Sequence, residues 1–332
     1  MSAAPRVSVL VAARDAEATL PATLRSVARQ TFLDWECVVV DDGSRVRPSL
    51  PDDPRFRLVR TPPRGAAPAR NAGLAACRGE LVAVLDADDL MRSRRLARQV
   101  QALEAHPGWA GVGCHARYFP RSAVGGGMRA YERWLHGARE PQDLARDAWI
   151  EMPVGHPTLL LRAAVLRRIG GWRDRGWPED WDLFLRLVIA ERLPLGMVPE
   201  RLLAWRLRPG SLSRSSPAYT TAAFQRCRAH FLAQHFLEGS DDYVLWGYGA
   251  TGRALSRELV AHGKRPTHIV EVHPRRLGKR IQGAEVVPPA ALAELRGTRI
   301  VVSVAHAEPR ALVRAALAEM GFEEGRDHVC AA

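Results

Sequence analysis

Four short β-branched runs, separated by helical segments, constrain this chain more than any other feature. Residues 7–11 (VSVLV), 36–40 (ECVVV), 56–60 (FRLVR) and 80–85 (ELVAVL) are brief and bounded by polar turns, and three of them are largely continuous in apolar character. That pattern predicts buried strands. Between the first two, Leu20, Leu24 and Val27 recur at helical spacing across 19–30, with Thr19 placed as a cap. Residues 68–77 read as a second helix. Strand and helix in alternation predict a parallel sheet with crossover helices. Ligands bind such sheets beyond the carboxyl ends of the strands. Asp41 and Asp42 stand at one such end, and Asp86, Asp88 and Asp89 at another.

Further along, 120–140 contains Gly125–Gly127 and little periodicity, and is expected to be a loop. Residues 162–170 and 180–191 read as helices, and the polar stretch 238–242 (EGSDD) as a domain boundary. This gives two domains, 1–238 and 239–332.

The net charge of +12 invites a nucleic-acid reading, but the 48 basic residues include only two lysines, Lys264 and Lys279. An arginine skew of that kind points to coding bias, and no nucleic-acid partner is expected. The charge is uneven. Residues 240–332 hold 13 basic and 11 acidic side chains, a net of +2, which leaves 12 − 2 = +10 for the first 239 residues. A basic first domain suits a nucleotide diphosphate, or a lipid diphosphate at an anionic membrane surface. Five cysteines without close pairs exclude a disulfide framework and a zinc ribbon. No run approaches the roughly 20 apolar residues of a membrane span, and the N-terminus lacks a signal-peptide layout. The expectation is a cytoplasmic protein, with peripheral contact at the inner membrane face.

The segment LDADDL (85–90) concentrates three carboxylates. Two readings stand: hard oxygen ligands for Mg²⁺ or Mn²⁺, completed by substrate phosphates, or a solvated turn leading into the helix at 92–105. Similarly, Glu179 and Asp180 at a helix start read either as catalytic acids or as complements to the helix dipole.

Taken in order, VSVLVAARDAEATLPATLRSVARQTF, VVVDDGS, ARNAGLAACRGELVAVLDADD, HPTLLLRAAVLRRIGGW and PEDWDLFLRL resemble the family 2 glycosyltransferases, over roughly residues 5–235. The resemblance implies the nucleotide-diphospho-sugar transferase (A-type glycosyltransferase) fold. It also implies a nucleotide-diphosphate sugar as donor and a saccharide or lipid-linked acceptor. It places the donor at Ala12, Arg14, Asp41, Asp42, Arg70 and Asp86, with Asp42 on the nucleobase. The metal falls to Asp88 and Asp89. Asp180 becomes the general base, which implies inversion at the anomeric carbon. Around it, His156, Trp177, Glu179 and Trp181 are acceptor-side candidates. A tryptophan face suits a sugar ring but equally suits a core, and His156 could serve either place. The first strand ends Ala12-Ala13-Arg14-Asp15, where the family usually carries a Pro/Ser–Tyr–Asn-like run. The Gln-x-x-Arg-Trp signature of processive synthases is missing, which favours transfer of a single sugar.

Residues 243–252 (YVLWGYGATG) place Gly247, Gly249 and Gly252 in Gly-x-Gly-x-x-Gly spacing between a strand and a helix, with Glu271 about 20 residues on. This predicts a small Rossmann-like α/β domain. It is either a second nucleotide site, for NAD or another nucleotide, or a scaffold for homodimerisation. The alternative function, an NAD(H)- or nucleotide-sugar-binding regulator or oxidoreductase led by this domain, leaves the acidic cluster and Asp180 unexplained.

Overall fold

The computed structural model describes residues 4–208 and 210–332. Two sheets organise the chain. The first contains β1 (Val7–Ala13), β2 (Trp35–Asp42), β3 (Phe56–Thr61), β4 (Leu81–Asp86), β5 (Leu90–Met91), β6 (Gly111–Phe119), β7 (Leu160–Arg162) and β8 (Leu195–Arg206). Their order across the sheet is β3-β2-β1-β4-β7-β6-β8-β5. The four strands read from sequence form its parallel half, and β1 and β2 are buried on both faces, as crossover helices on both sides require. Helix α1 (Leu20–Ala28) buries Leu20, Leu24 and Val27, and α2 (Ala66–Ala76) buries Ala67, Ala69 and Leu74.

The other half mixes directions: β7 is antiparallel to β4 and β6, and β5 is antiparallel to β8. The chain therefore leaves β4 in mid-sheet through the acidic loop and reappears as β5 at the far edge. Helix α3 (Arg95–Ala105) follows. The expected loop at 120–140 is instead largely helical, with α4 spanning Gly126–Leu135. The run of glycines masks an amphipathic segment whose Glu132 and Leu135 are buried. Thr19 does not cap α1 with its side chain. Its hydroxyl and that of Thr23 both donate to the Ala87 carbonyl at 3.0 Å, pinning the acidic loop.

The second sheet contains β9 (Asp242–Trp246), β10 (Arg265–Val270), β11 (Arg280–Ile281), β12 (Ala284–Val287), β13 (Ile300–Val302) and β14 (His328–Cys330), ordered β11-β12-β10-β9-β13-β14. All are parallel except β11. The compact unit around this sheet takes in 145–151, 176–178 and 216–332, so it begins before the polar stretch at 238–242. The reason is local: α6 (Thr221–Phe231) buries Ala223, Cys227 and Phe231 and packs against α7 (Ala250–Ala261), which connects β9 to β10. All five cysteines are buried free thiols.

Candidate active site

Register assembles the site. Ala12 pairs with Val40 on one side and Asp86 on the other, and Ala13 pairs with Asp41, so the carboxyl ends of β1, β2 and β4 lie level. Asp41 and Asp42 are both buried, and both hold local structure. Asp41 accepts from the Ser44 amide at 2.8 Å and from Arg60 Nε at 2.8 Å. Asp42 accepts from the amides of Arg64 and Gly65 at 2.8 and 2.9 Å, which orders the turn entering α2. Gly65 has φ +97°, a conformation that only glycine adopts cheaply, so the amide can face Asp42. Carboxylate oxygens have further lone pairs, and Asp42 retains acceptor capacity at the strand end. Arg14 is exposed just beyond β1.

Arg70 is the hub. From α2 its Nη1 reaches Glu179 Oε1 at 2.6 Å, and its Nη2 reaches Asp86 Oδ1 at 3.3 Å. One planar guanidinium thereby joins the end of β4 to the start of α5 (Glu179–Leu185). Its side chain is only 10% exposed. The adjacent Asn71 clamps the other wall, donating to the Trp172 carbonyl at 2.7 Å and accepting from the Trp172 amide at 2.9 Å. Sequence reading passed over Asn71, although its place beside Arg70 in ARNAG was the available signal.

Charge accumulates around this hub. Burial pushes the Asp86 carboxyl up, as do the charges of Asp88 and Glu179, against the opposing pull of Arg70. Asp180 is pushed up to about 7, first by burial and then by the Glu179 charge, with Asp86 adding to it; Arg70 and the Trp181 amide, at 2.8 Å, work the other way. A carboxyl that titrates near neutrality on a helix start is poised to take a proton. His156 is buried and held well below the usual imidazole range, by burial and by the Arg70 charge. Its Nε2 lies 2.9 Å from the Trp172 indole nitrogen, which can only donate, so Nε2 is the acceptor and the ring is neutral.

The acidic loop divides by environment. Asp88 Oδ2 accepts from Arg208 Nε at 2.6 Å, and the Asp88 carbonyl accepts from Arg206 Nε at 2.7 Å. Asp89, expected at the metal, is instead turned inward with no exposed surface. Its Oδ1 accepts from the Arg206 amide at 2.7 Å, and burial holds its carboxyl well above the usual range. It anchors the β5–β8 edge through the Arg206 amide. Arg206 and Arg208, which sequence reading missed, strap the loop from β8 and the residues after it. Among the described residues no three His, Cys, Asp or Glu side chains converge as a complete cation cage. Asp86 and Asp88, both partly accessible at the end of β4, are the carboxylates of the loop that solvent reaches.

Of the two readings open for the tryptophans, burial favours core packing for Trp181. Trp181 is 1% exposed and belongs to the core. Trp177 packs in the second compact unit, its ring 5.2 Å from that of His230.

In the second unit, the glycine spacing resolves into separate roles. Gly247 has φ +97° and lies against the Ser303 carbonyl, and a side chain on Gly252 would collide with the Gly247 carbonyl. A side chain on Gly249 would meet open space. Glu271 accepts from the Val272 and His273 amides and pairs with Arg276 at 2.9 Å. These contacts order the turn after β10 and fix the Glu271 carboxylate at the strand end.

Comparison with known proteins decides the family. The Glycosyl transferase family 2 model matches residues 8–168. The putative glycosyltransferase EpsE of Bacillus subtilis (strain 168) is 31% identical over 198 residues, covering 56% of this chain and 68% of that protein. The chain belongs to the family 2 glycosyltransferases. A second relative, the succinoglycan biosynthesis protein ExoO of Rhizobium meliloti (strain 1021), is 41% identical over 106 residues, 30% of either chain. The match to the O-antigen biosynthesis protein RfbC of Myxococcus xanthus, at 35% identity, spans 71% of this chain but only 18% of that one. The crystal structure of S. aureus TarS 1-349 in complex with UDP-GlcNAc aligns with a TM-score of 0.55 at 18% identity, covering 77% of this glycosyltransferase and 72% of TarS. That likeness establishes the A-type glycosyltransferase fold, to which this chain adds its second sheet.

Proposed function

We propose that this glycosyltransferase moves one sugar from a nucleotide-diphosphate donor to a saccharide or lipid-linked acceptor, with inversion, in bacterial surface-polysaccharide or glycolipid synthesis. The observation that supports the reading is the Arg70 bridge from Asp86, at the end of β4, to Glu179, the residue before Asp180; burial and the Glu179 charge push the Asp180 carboxyl up to about 7. The names of ExoO and RfbC support the pathway class.

In this reading the nucleoside lies across Ala12, Arg14 and Asp42, beyond the level ends of β1 and β2. Asp86 and Asp88 hold Mg²⁺ or Mn²⁺, which would supply charge neutralisation for the departing diphosphate. Arg70 keeps Asp86 and Glu179 in fixed positions and adds a permanent positive charge near the leaving group. Asp180, once ionised, accepts the acceptor hydroxyl's proton as the oxygen attacks the anomeric carbon from the face opposite the diphosphate. Buried, neutral His156 holds Trp172 in place and so shapes the acceptor wall. Gly249, at the N-terminus of α7, leaves room for a phosphate.

Asp180→Asn tests the assignment. General base catalysis contributes about 10²–10⁴-fold, so turnover should fall by that factor while calorimetric affinity for the donor stays nearly unchanged. Because the base must be ionised, wild-type turnover should rise as pH passes about 7. Wild-type turnover in the variant would move the base elsewhere.

A further inference from the structure

A groove of about 690 Å³ opens on the catalytic unit between α1 and the β5–β8 edge, where the chain leaves the acidic loop. Its floor is apolar: Ala22, Leu90, Met91, Phe119 and Ala204. Its rim carries Arg25 and Arg29 from α1 and Arg92 from the turn before α3, all exposed. Among the described residues no carboxylate pairs with any of these three guanidinium groups, although nine other arginines of the same unit between Arg6 and Arg121 do have acidic partners.

The rim concentrates like charge: Arg25, in the last turn of α1, and Arg29, at its C-cap, lie four residues apart. Arg94, the N-cap of α3, and Arg92 two residues before it precede a first turn that contains no acid, so they face the positive end of the helix dipole. An external anion relieves both. A free phosphate would use the rim and leave the apolar floor wetted. A phospholipid uses both parts, with its phosphate among the arginines and its glycerol and first methylenes on Leu90, Met91 and Phe119.

We infer that this groove is a membrane-docking site that takes the phosphate headgroups of anionic lipids. Leu90 directly follows Asp88 and Asp89, so docking here would hold the acidic loop against the bilayer surface. The inference concerns binding alone and stands apart from the catalytic assignments.

The test is cosedimentation of the full chain with phosphatidylcholine vesicles, with and without phosphatidylglycerol. Binding should require phosphatidylglycerol and weaken as salt rises. An arginine near an anionic surface contributes about fivefold in affinity, so Arg25→Gln/Arg29→Gln/Arg92→Gln should lose on the order of a hundredfold. Ala22→Glu, which puts an anion into the floor, should also weaken binding. A control of equal charge change, Arg253→Gln/Arg257→Gln/Arg275→Gln, should stay within about twofold of wild type. Thermal unfolding of all variants checks that they are folded. Equal losses in the two triple variants would make the effect one of net charge and overturn the site. Displacement of the vesicles by millimolar inorganic phosphate would reassign the groove to a soluble anion, and absence of vesicle binding by the wild type would end the proposal.

Discussion

Arg70→Met is the most informative single change, because it removes one charge and leaves the volume nearly intact. The guanidinium is 10% exposed and its Glu179 partner 8%, so that pair is little screened by solvent; the Asp86 partner is 34% exposed and counts for less. Removing one member of such a buried pair costs about 3–5 kcal/mol, because the other charge is left uncompensated. For a domain of about 200 residues that corresponds to a fall in Tm of roughly 10 °C. The loss has a definite pH dependence. Arg70 pulls the carboxyls of Asp86 and Asp180 down, so its removal lets both rise further above their unfolded values. Groups with raised folded pKa bind more protons in the native state than in the unfolded chain. Their stabilisation is complete below the unfolded value and is lost as pH climbs through the folded one. The Tm deficit of the variant should therefore be small near about pH 5 and largest above about pH 8. Differential scanning calorimetry across that range measures it. Arg70→Lys, which keeps the charge but cannot reach both partners with a fork, should fall between wild type and Met. A deficit that is constant with pH, or no deficit, would show that Arg70 does not control these carboxyls.

Two further outcomes follow from the same geometry. Chelation should abolish transfer, and Asp88→Asn should remove the Mn²⁺-dependent part of donor affinity in calorimetry while Asp89→Asn chiefly lowers Tm; full activity in excess chelator would take the metal out of the reaction. In the second unit, Gly252→Val should unfold that unit by collision with the Gly247 carbonyl, whereas Gly249→Ala, with φ −75° and open space around it, should leave Tm nearly unchanged; equal damage from the two, read by circular dichroism, would refute the division of roles.

Much of this was legible in the sequence, and for a physical reason. Continuous apolar runs at 7–11, 36–40 and 80–85 suit strands covered on both faces, as crossover helices cover a parallel sheet. Carboxylates placed directly after such runs must then lie at one sheet edge, which brought Asp41, Asp42, Asp86 and Asp88 together before any coordinates. The family motifs added Arg70 and Asp180. What the sequence could not show was how the acids divide. Asp88 and Asp89 are neighbours of identical chemistry. One faces Arg208 and the other is buried under the Arg206 amide, because β5 pairs with β8 more than a hundred residues away in sequence. The glycine-rich stretch before α4 hid a helix whose stability comes from buried Glu132 and Leu135 rather than from propensity. Local spacing determines which elements form and which end of a strand carries charge. Whether a given charge meets solvent, a substrate or a buried amide is decided by long-range strand pairing, and only the tertiary structure contains it.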